Sequence, residues 1–230
     1  MALLGGSGRY LRRTTNLPAS IQAVTLCGWA KWSNANYDAL ALVGGTVGIY
    51  LSNSSSAVLM FGADGVGTGT FTNPSAGQWF FWAIVGRPSS HIAYVLRLGS
   101  DASFQTVDLG ATSSTTPTDV YLLDSSGGDY WENGSVACAK VWAASLTAAE
   151  LYQEMWSVRP RRLANLNCWS PLMADYKDYS GNGYDWTLTG SAAYADGPPV
   201  GWGAAPYIIG NPAAAGPGGR NPVSMGFDLR

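Results

Sequence analysis

The chain is poor in the residues that do chemistry. Its 230 residues include one histidine, His91, and only three glutamates, Glu132, Glu150 and Glu154. A histidine-based zinc site needs partners that the sequence does not supply. His91 sits in an alternating strand pattern, where a solvent-facing or core-satisfied ring is the expected role rather than a general base. No G-x-S-x-G elbow, phosphate loop or dinucleotide glycine pattern occurs. Retaining glycoside hydrolysis needs two carboxyls about 5–5.5 Å apart, a spacing that alternate residues on one strand face provide. Two of the three glutamates fall on a predicted helix. Asp129 and Glu132 fall in a loop without that alternation. The expectation is a protein that is not an enzyme.

Charge is also scarce. Asp, Glu, Lys and Arg make up 12% of the chain, and the formal net charge is −2. The densest basic run is Arg159, Arg161 and Arg162, which suits capping a helix end and pairing with nearby acids. Nucleic acid, which requires a broad positive field, is not an expected partner. The longest apolar runs, such as 79–85, are far shorter than the roughly 18–20 residues of a spanning helix, so no membrane span is expected. The opening MALLGGSGRYLRR lacks a basic stretch followed by a sustained apolar one, so no signal peptide is expected. Three cysteines, Cys27, Cys138 and Cys168, with no CxxC spacing, argue against a disulfide framework, although one bridge remains open. Cys27 and Cys138 lie in strand patterns and read as small core residues.

What is abundant is glycine (29) and aromatic residues, with 10 tryptophans and 12 tyrosines. Strand patterns recur with turn signals between them, as in an all-β sandwich. Residues 24–32 are apolar at nearly every position and predict a central strand buried on both faces. Residues 39–43 and 48–51 flank Gly44-Gly45, a hairpin signal. Residues 57–61, 78–85, 91–98, 120–123 and 136–142 follow as strands, and 62–71 (GADGVGTGTF) reads as a glycine-rich connection. After residue 142 comes one helix with a complete start signal. Thr147 is the N-cap, Glu150 completes a capping box, and Leu146 with Leu151 forms a hydrophobic staple. Residues 166–172 read as one further strand.

Four runs carry a family resemblance. VTLCGWAKW (24–32), GQWFFWAIV (77–85), VACAKVWAASLTAAEL (136–151) and DYSGNGYDWTLTG (178–190) resemble segments of laminin-G-like domains of the concanavalin A-like lectin/glucanase class. The resemblance implies an antiparallel β-sandwich, a laminin-G-like jelly roll with one short helix. The order differs from the family's, because the D-SGN segment normally comes first and here follows the helix. That implies a permuted sandwich, or a late strand within 166–196 that completes a sheet of this chain or of a neighbour. The arrangement resembles that of proteins on bacteriophage virions. Ala137 and Cys138 stand where the family has an acidic pair, so a family calcium role is not carried over at those points.

Binding candidates lie in loops. Asp124, Asp129, Tyr130, Trp131 and Glu132 combine carboxylates, which accept sugar hydroxyls or hold calcium, with rings that can stack on sugars. Trp32 and Tyr37 belong to a second polar-aromatic loop. Asp64, with Asp124 and Asp129, is a candidate calcium ligand if the loops share a rim. Residues 1–196 are read as the sandwich. Residues 197–230, rich in Pro, Gly and Ala, are read as an extended tail. Its spaced anchors Trp202, Tyr207, Ile208, Ile209, Met225 and Phe227 suggest docking on other copies of the chain or on other virion proteins. Two function classes follow. One is a structural or interaction protein, on a virion surface or extracellular, with possible glycan adhesion. The other is a carbohydrate-binding module of a cellular protein.

Overall fold

The structure, a computed structural model, describes residues 1–6, 8–33, 38–44, 47–51, 57–61, 68–108, 116–124 and 134–201. These form two antiparallel sheets and one α-helix. The eight-stranded sheet contains β1 (Ala2–Leu4), β3 (Thr25–Lys31), β8 (Trp79–Arg87), β9 (Ser90–Arg97), β10 (Gln105–Asp108), β12 (Ser135–Trp142), β13 (Leu166–Ser170) and β15 (Tyr194–Ala195). The seven-stranded sheet contains β2 (Tyr10–Arg13), β4 (Asp38–Val43), β5 (Val47–Leu51), β6 (Ala57–Phe61), β7 (Thr68–Thr72), β11 (Val120–Leu122) and β14 (Thr187–Thr189). The expected sandwich is thus what the chain forms.

Strands β3 and β8 explain their unbroken apolar sequences. Leu26, Ala30, Phe80, Trp82 and Ile84 face the core between the sheets. Their neighbours Cys27, Trp29, Phe81, Ala83 and Val85 face a second core, which also contains Leu146, Leu151 and Met155. The single α-helix, α1 (Ala148–Met155), covers that outer face. Both faces of these strands are therefore dry, and period-2 alternation has no polar side to show. His91 is buried, with Nε2 3.2 Å from the Ile21 carbonyl oxygen, which makes it a core-satisfied histidine.

The helix begins as its sequence dictates. The Thr147 hydroxyl accepts the Glu150 N–H at 3.2 Å, and the Glu150 carboxylate accepts the Thr147 N–H at 2.8 Å. All three cysteines are free and buried. At Cys138 a bulge interrupts the register between β12 and β3, and Cys138 takes a φ of 57°.

The segment after the helix resolves the question raised by its sequence order. β13 pairs with β12, β14 with β2 and β15 with β1, so the late strands complete both sheets of their own chain. Pairing continues beyond the compositional boundary at 196/197. Gly201 forms a parallel bridge with Ser157, and Val200 packs against the second core. Short strands that the sequence reading did not include are β1, β2, β10, β14 and β15. The run 62–71 is also more than a connection, since β7 begins at Thr68 and pairs with β6.

Candidate functional site

Of the sequence-predicted site residues, Trp32 and Asp124 are described; Tyr37, Asp64, Asp129, Tyr130, Trp131 and Glu132 lie outside the described residues. Trp32 is 2% exposed and belongs to the core between the sheets, so its ring is not offered to a ligand. Asp124 is 3% exposed. The strands fix where the loops attach. Lys31 pairs with Ser135, Asp38 with Leu51, and Leu122 with Ala41, so the 34–37, 52–56 and 125–133 connections are anchored at one end of the sandwich. The 62–67 connection is anchored by Phe61 and Thr68, at the other end of the seven-stranded sheet, where Gly48 pairs with Phe61 and Val43 with Val47. Among the described residues no group of three or more His, Cys, Asp or Glu side chains is arranged to hold a metal.

A different site is built where the helix ends. The Lys140 ammonium, on β12, meets the Glu154 carboxylate of α1 at 2.8 Å. The same ammonium donates to the carbonyls of Glu154 at 2.9 Å and Ser157 at 2.7 Å. The other Glu154 oxygen accepts the N–H groups of Arg161 and Arg162, each at 2.7 Å. One buried ion pair thereby fixes the path of residues 157–162. Trp142 Nε1 adds a bond to the Arg162 carbonyl at 2.9 Å, and the Arg162 guanidinium meets Glu150 at 2.5 Å. Of the three arginines, Arg162 pairs with an acid as expected, while Arg161 and Arg162 also bond through their backbones.

The opposing wall is the loop after β13. Asp178 is its organiser. The carboxylate accepts the N–H groups of Trp169 at 3.0 Å, Ser180 at 2.8 Å and Tyr184 at 2.9 Å, and the Ser180 hydroxyl at 2.8 Å. Burial pushes the Asp178 carboxyl up, but these donors outweigh it and hold it below the usual range. Asn182 donates to the carbonyls of Leu166 and Asn167, each at 3.0 Å. Gly181 and Gly183, with φ of 92° and 73°, permit the turn. The D-x-S-G-N run is thus a clamp that folds the loop back onto β13.

Between the walls lies a cleft of about 540 Å³, lined among others by Arg159, Leu163, Trp169, Met173, Asp175 and Tyr179. The rings of Trp169 and Tyr179 stand 6.1 Å apart at 58°. The Tyr179 hydroxyl donates to Asp175 at 2.8 Å, which raises the phenol's pKa, and the ring is 52% exposed. Trp169 Nε1 is buried with no acceptor among the described residues. An aromatic floor with a few fixed polar groups is the usual make-up of a small-ligand site, and the volume falls in the common range of roughly 300–1,000 Å³. Sequence reasoning missed this site because its two walls come from segments read as a helix end and a turn. The available signal was the density of aromatic and acidic residues from Trp169 to Tyr179.

No family model matches the chain, and no curated protein matches it by sequence. Solved structures do match. A Bacteroides ovatus protein, provisionally described as carbohydrate-binding, superposes with a TM-score of 0.63 at 14% identity, over 88% of this chain and 62% of its own. Full-length tailspike protein 2 of the Escherichia coli O157:H7 bacteriophage CAB120 superposes at 0.51 and 15% identity, over 71% of this chain and 25% of its own. The mouse laminin alpha1 LG4-5 fragment aligns at 0.43 and 12% identity, over 64% of this chain and 44% of its own, too loosely to argue from. This chain therefore spans less than two thirds of each of these proteins. At such identities the likeness is one of fold alone, the two-sheet antiparallel sandwich described above.

Proposed function

We propose that this chain is a non-enzymatic interaction module that binds glycan in the cleft between residues 159–163 and the 171–180 loop. The observation that carries the reading is the cleft itself. Trp169 and Tyr179 supply rings against which the C–H face of a sugar can pack, and Asp175 and Arg159 supply groups suited to hydroxyls or an acidic sugar. The carbohydrate-binding description of the Bacteroides protein supports the same reading. The setting we favour is an extracellular or virion surface, in assembly with other copies or other virion proteins. The sequence order and the tailspike likeness support it. A carbohydrate-binding module of a cellular protein is the alternative, and order of the chain on an isolated particle would decide between them.

The test is titration of the full chain with neutral, acidic and amino oligosaccharides, followed by calorimetry. Tyr179→Ala is expected to weaken binding by about tenfold or more, equivalent to about 1.4 kcal/mol, while Trp131→Ala leaves it intact. The reverse pattern would return the site to the rim loops named by the sequence. Binding of no glycan at all would overturn the proposal, and release of reducing sugar would overturn its non-enzymatic part.

A further inference from the structure

We propose that an aromatic ridge on the outer side of α1, formed by Tyr152 and Trp156 with Phe104 beside them, continues the cleft, so that the ligand is one linear oligosaccharide crossing from cleft to helix; this rests on the cleft reading above. Both parts belong to one layer. Phe104, Leu166, Trp169 and Met173 all pack against the second core, the one that α1 covers. Tyr152 and Trp156 are four residues apart, which makes them neighbours on one side of the helix. Their rings stand 6.3 Å apart, and the Phe104 ring stands 6.3 Å from that of Tyr152. Trp156 is the helix C-cap, and the chain reaches the cleft wall at Arg159 three residues later. Three residues span at most about 11 Å between Cα atoms, so the ridge ends close beside that wall.

This side of the helix is built against the usual pattern. A surface helix normally turns charged residues toward water. The exposed positions of α1 are Ala148, Ala149, Tyr152 and Gln153, followed by the cap Trp156, and none is charged. Tyr152 is 48% exposed and Trp156 44%. Tyr94, in contrast, is buried, and Phe104 meets it edge to face at 5.6 Å, so the row of rings starts in the core and ends in water. The tail from Trp202 onward lies outside the described residues.

Size and geometry select the occupant. A Trp or Tyr side chain buries about 150–250 Å² when covered, so two half-exposed rings offer roughly 200 Å². A stable protein interface takes about 800 Å² from each partner, far more than the ridge supplies. A sugar needs no such area, because its C–H face is covered by a single ring. The three rings are inclined at 85° and 75° to one another, so they cannot all lie flush on one plane. That fits poorly with the flat face of a crystalline polysaccharide and well with one chain whose successive units turn. With no charge exposed on α1, recognition there falls to ring packing and to the Gln153 amide, which both donates and accepts. The cleft thus holds one part of the chain, and the ridge adds affinity for length.

Calorimetric titration of the full chain with linear di-, tetra- and hexasaccharides of glucose, N-acetylglucosamine and galacturonic acid tests the proposal. The comparison is a full-length variant carrying Tyr152→Ala and Trp156→Ala, with Trp156→Phe as the conservative partner. The ridge predicts that the wild type binds the hexasaccharide of its preferred sugar about tenfold more tightly than the disaccharide. The double variant should lose that gain yet bind the disaccharide as the wild type does, and Trp156→Phe, which keeps a ring, should retain most of the gain. Equal affinity at all lengths, or a gain that survives in the double variant, would overturn the proposal. Binding still lost in Tyr179→Ala would then leave the cleft reading standing alone. Length-dependent binding that ignores Tyr179→Ala would remove the cleft reading and break the continuous path, leaving the rings as a separate sugar site. Binding of none of these probes would overturn both. Sedimentation without sugar covers the other occupant, since a dimer lost in the double variant would assign the ridge to a second copy and overturn the proposal.

Discussion

The Lys140 ammonium and the Glu154 carboxylate are in contact at 2.8 Å, with 1% of each side chain exposed. Together they tie strand to helix and fix the backbone of residues 157–162, one wall of the cleft. A buried pair of this kind is not a strong argument for net stability, because desolvation opposes the attraction. Removing one partner, however, strands the other charge and costs about 3–5 kcal/mol. Lys140→Met is therefore expected to lower the unfolding free energy by roughly that amount in urea titration. A loss under about 1 kcal/mol would show that the pair does not hold the helix.

The capping box gives a graded pair of substitutions. Thr147→Ala removes the acceptor for the Glu150 N–H and is expected to cost about 0.5–2 kcal/mol. Leu151→Ala leaves a void in the core under the helix and is expected to cost more, about 2–5 kcal/mol. Equal and negligible losses at both positions would contradict the described helix start.

Acid sensitivity follows from Asp178 and Glu150. In both, burial pushes the carboxyl up, and the hydrogen-bond donors around it prevail and bring it below its ordinary value. A carboxyl held lower in the folded chain than in the unfolded one binds fewer protons when folded. The stabilisation it gives is complete above the unfolded pKa and is lost as pH falls through the folded one. Thermal melts should therefore show stability declining below about pH 4. Asp178→Asn should melt lower at pH 7 and lose less on acidification. An unchanged acid profile would show that Asp178 is not the clamp.

The three thiols should be inert in the folded chain. Burial raises the pKa of all three, to about 11 for Cys138 and about 12 for Cys168. Since the thiolate is the reactive form, a thiol reagent is expected to label none in buffer and three in denaturant. Rapid native labelling would contradict the described packing.

Deleting residues from 163 onward removes β13, β14 and β15 and bares β12, β2 and β1. Unpaired strand edges template aggregation, so the truncated chain is expected in the insoluble fraction. A soluble, cooperatively folding product would show that the late strands are dispensable.

The helix start was legible because a capping box is local: Thr147, Glu150, Leu146 and Leu151 lie within six consecutive positions. β3 and β8 were legible because burial on both faces leaves no polar position in the sequence. β1, β14 and β15 span two or three residues each and carry too little pattern to register; what defines them is a partner far along the chain. β7 was hidden by its glycine and threonine content. The cleft was illegible for a related reason. Asp178 reads as a turn residue until it is seen holding the N–H groups of Trp169, Ser180 and Tyr184, and Glu154 reads only as a helix residue until Lys140 is found beneath it. Trp32 shows the converse, since a loop-edge tryptophan read as a ligand platform is a core residue.

The most direct test of the account is the indole Nε1–H resonance of Trp169 in the full chain labelled with nitrogen-15, assigned with Trp169→Phe and followed during oligosaccharide titration. The account predicts a saturable shift at Trp169 that Tyr179→Ala weakens. Glycan binding that leaves the Trp169 resonance unmoved would contradict it.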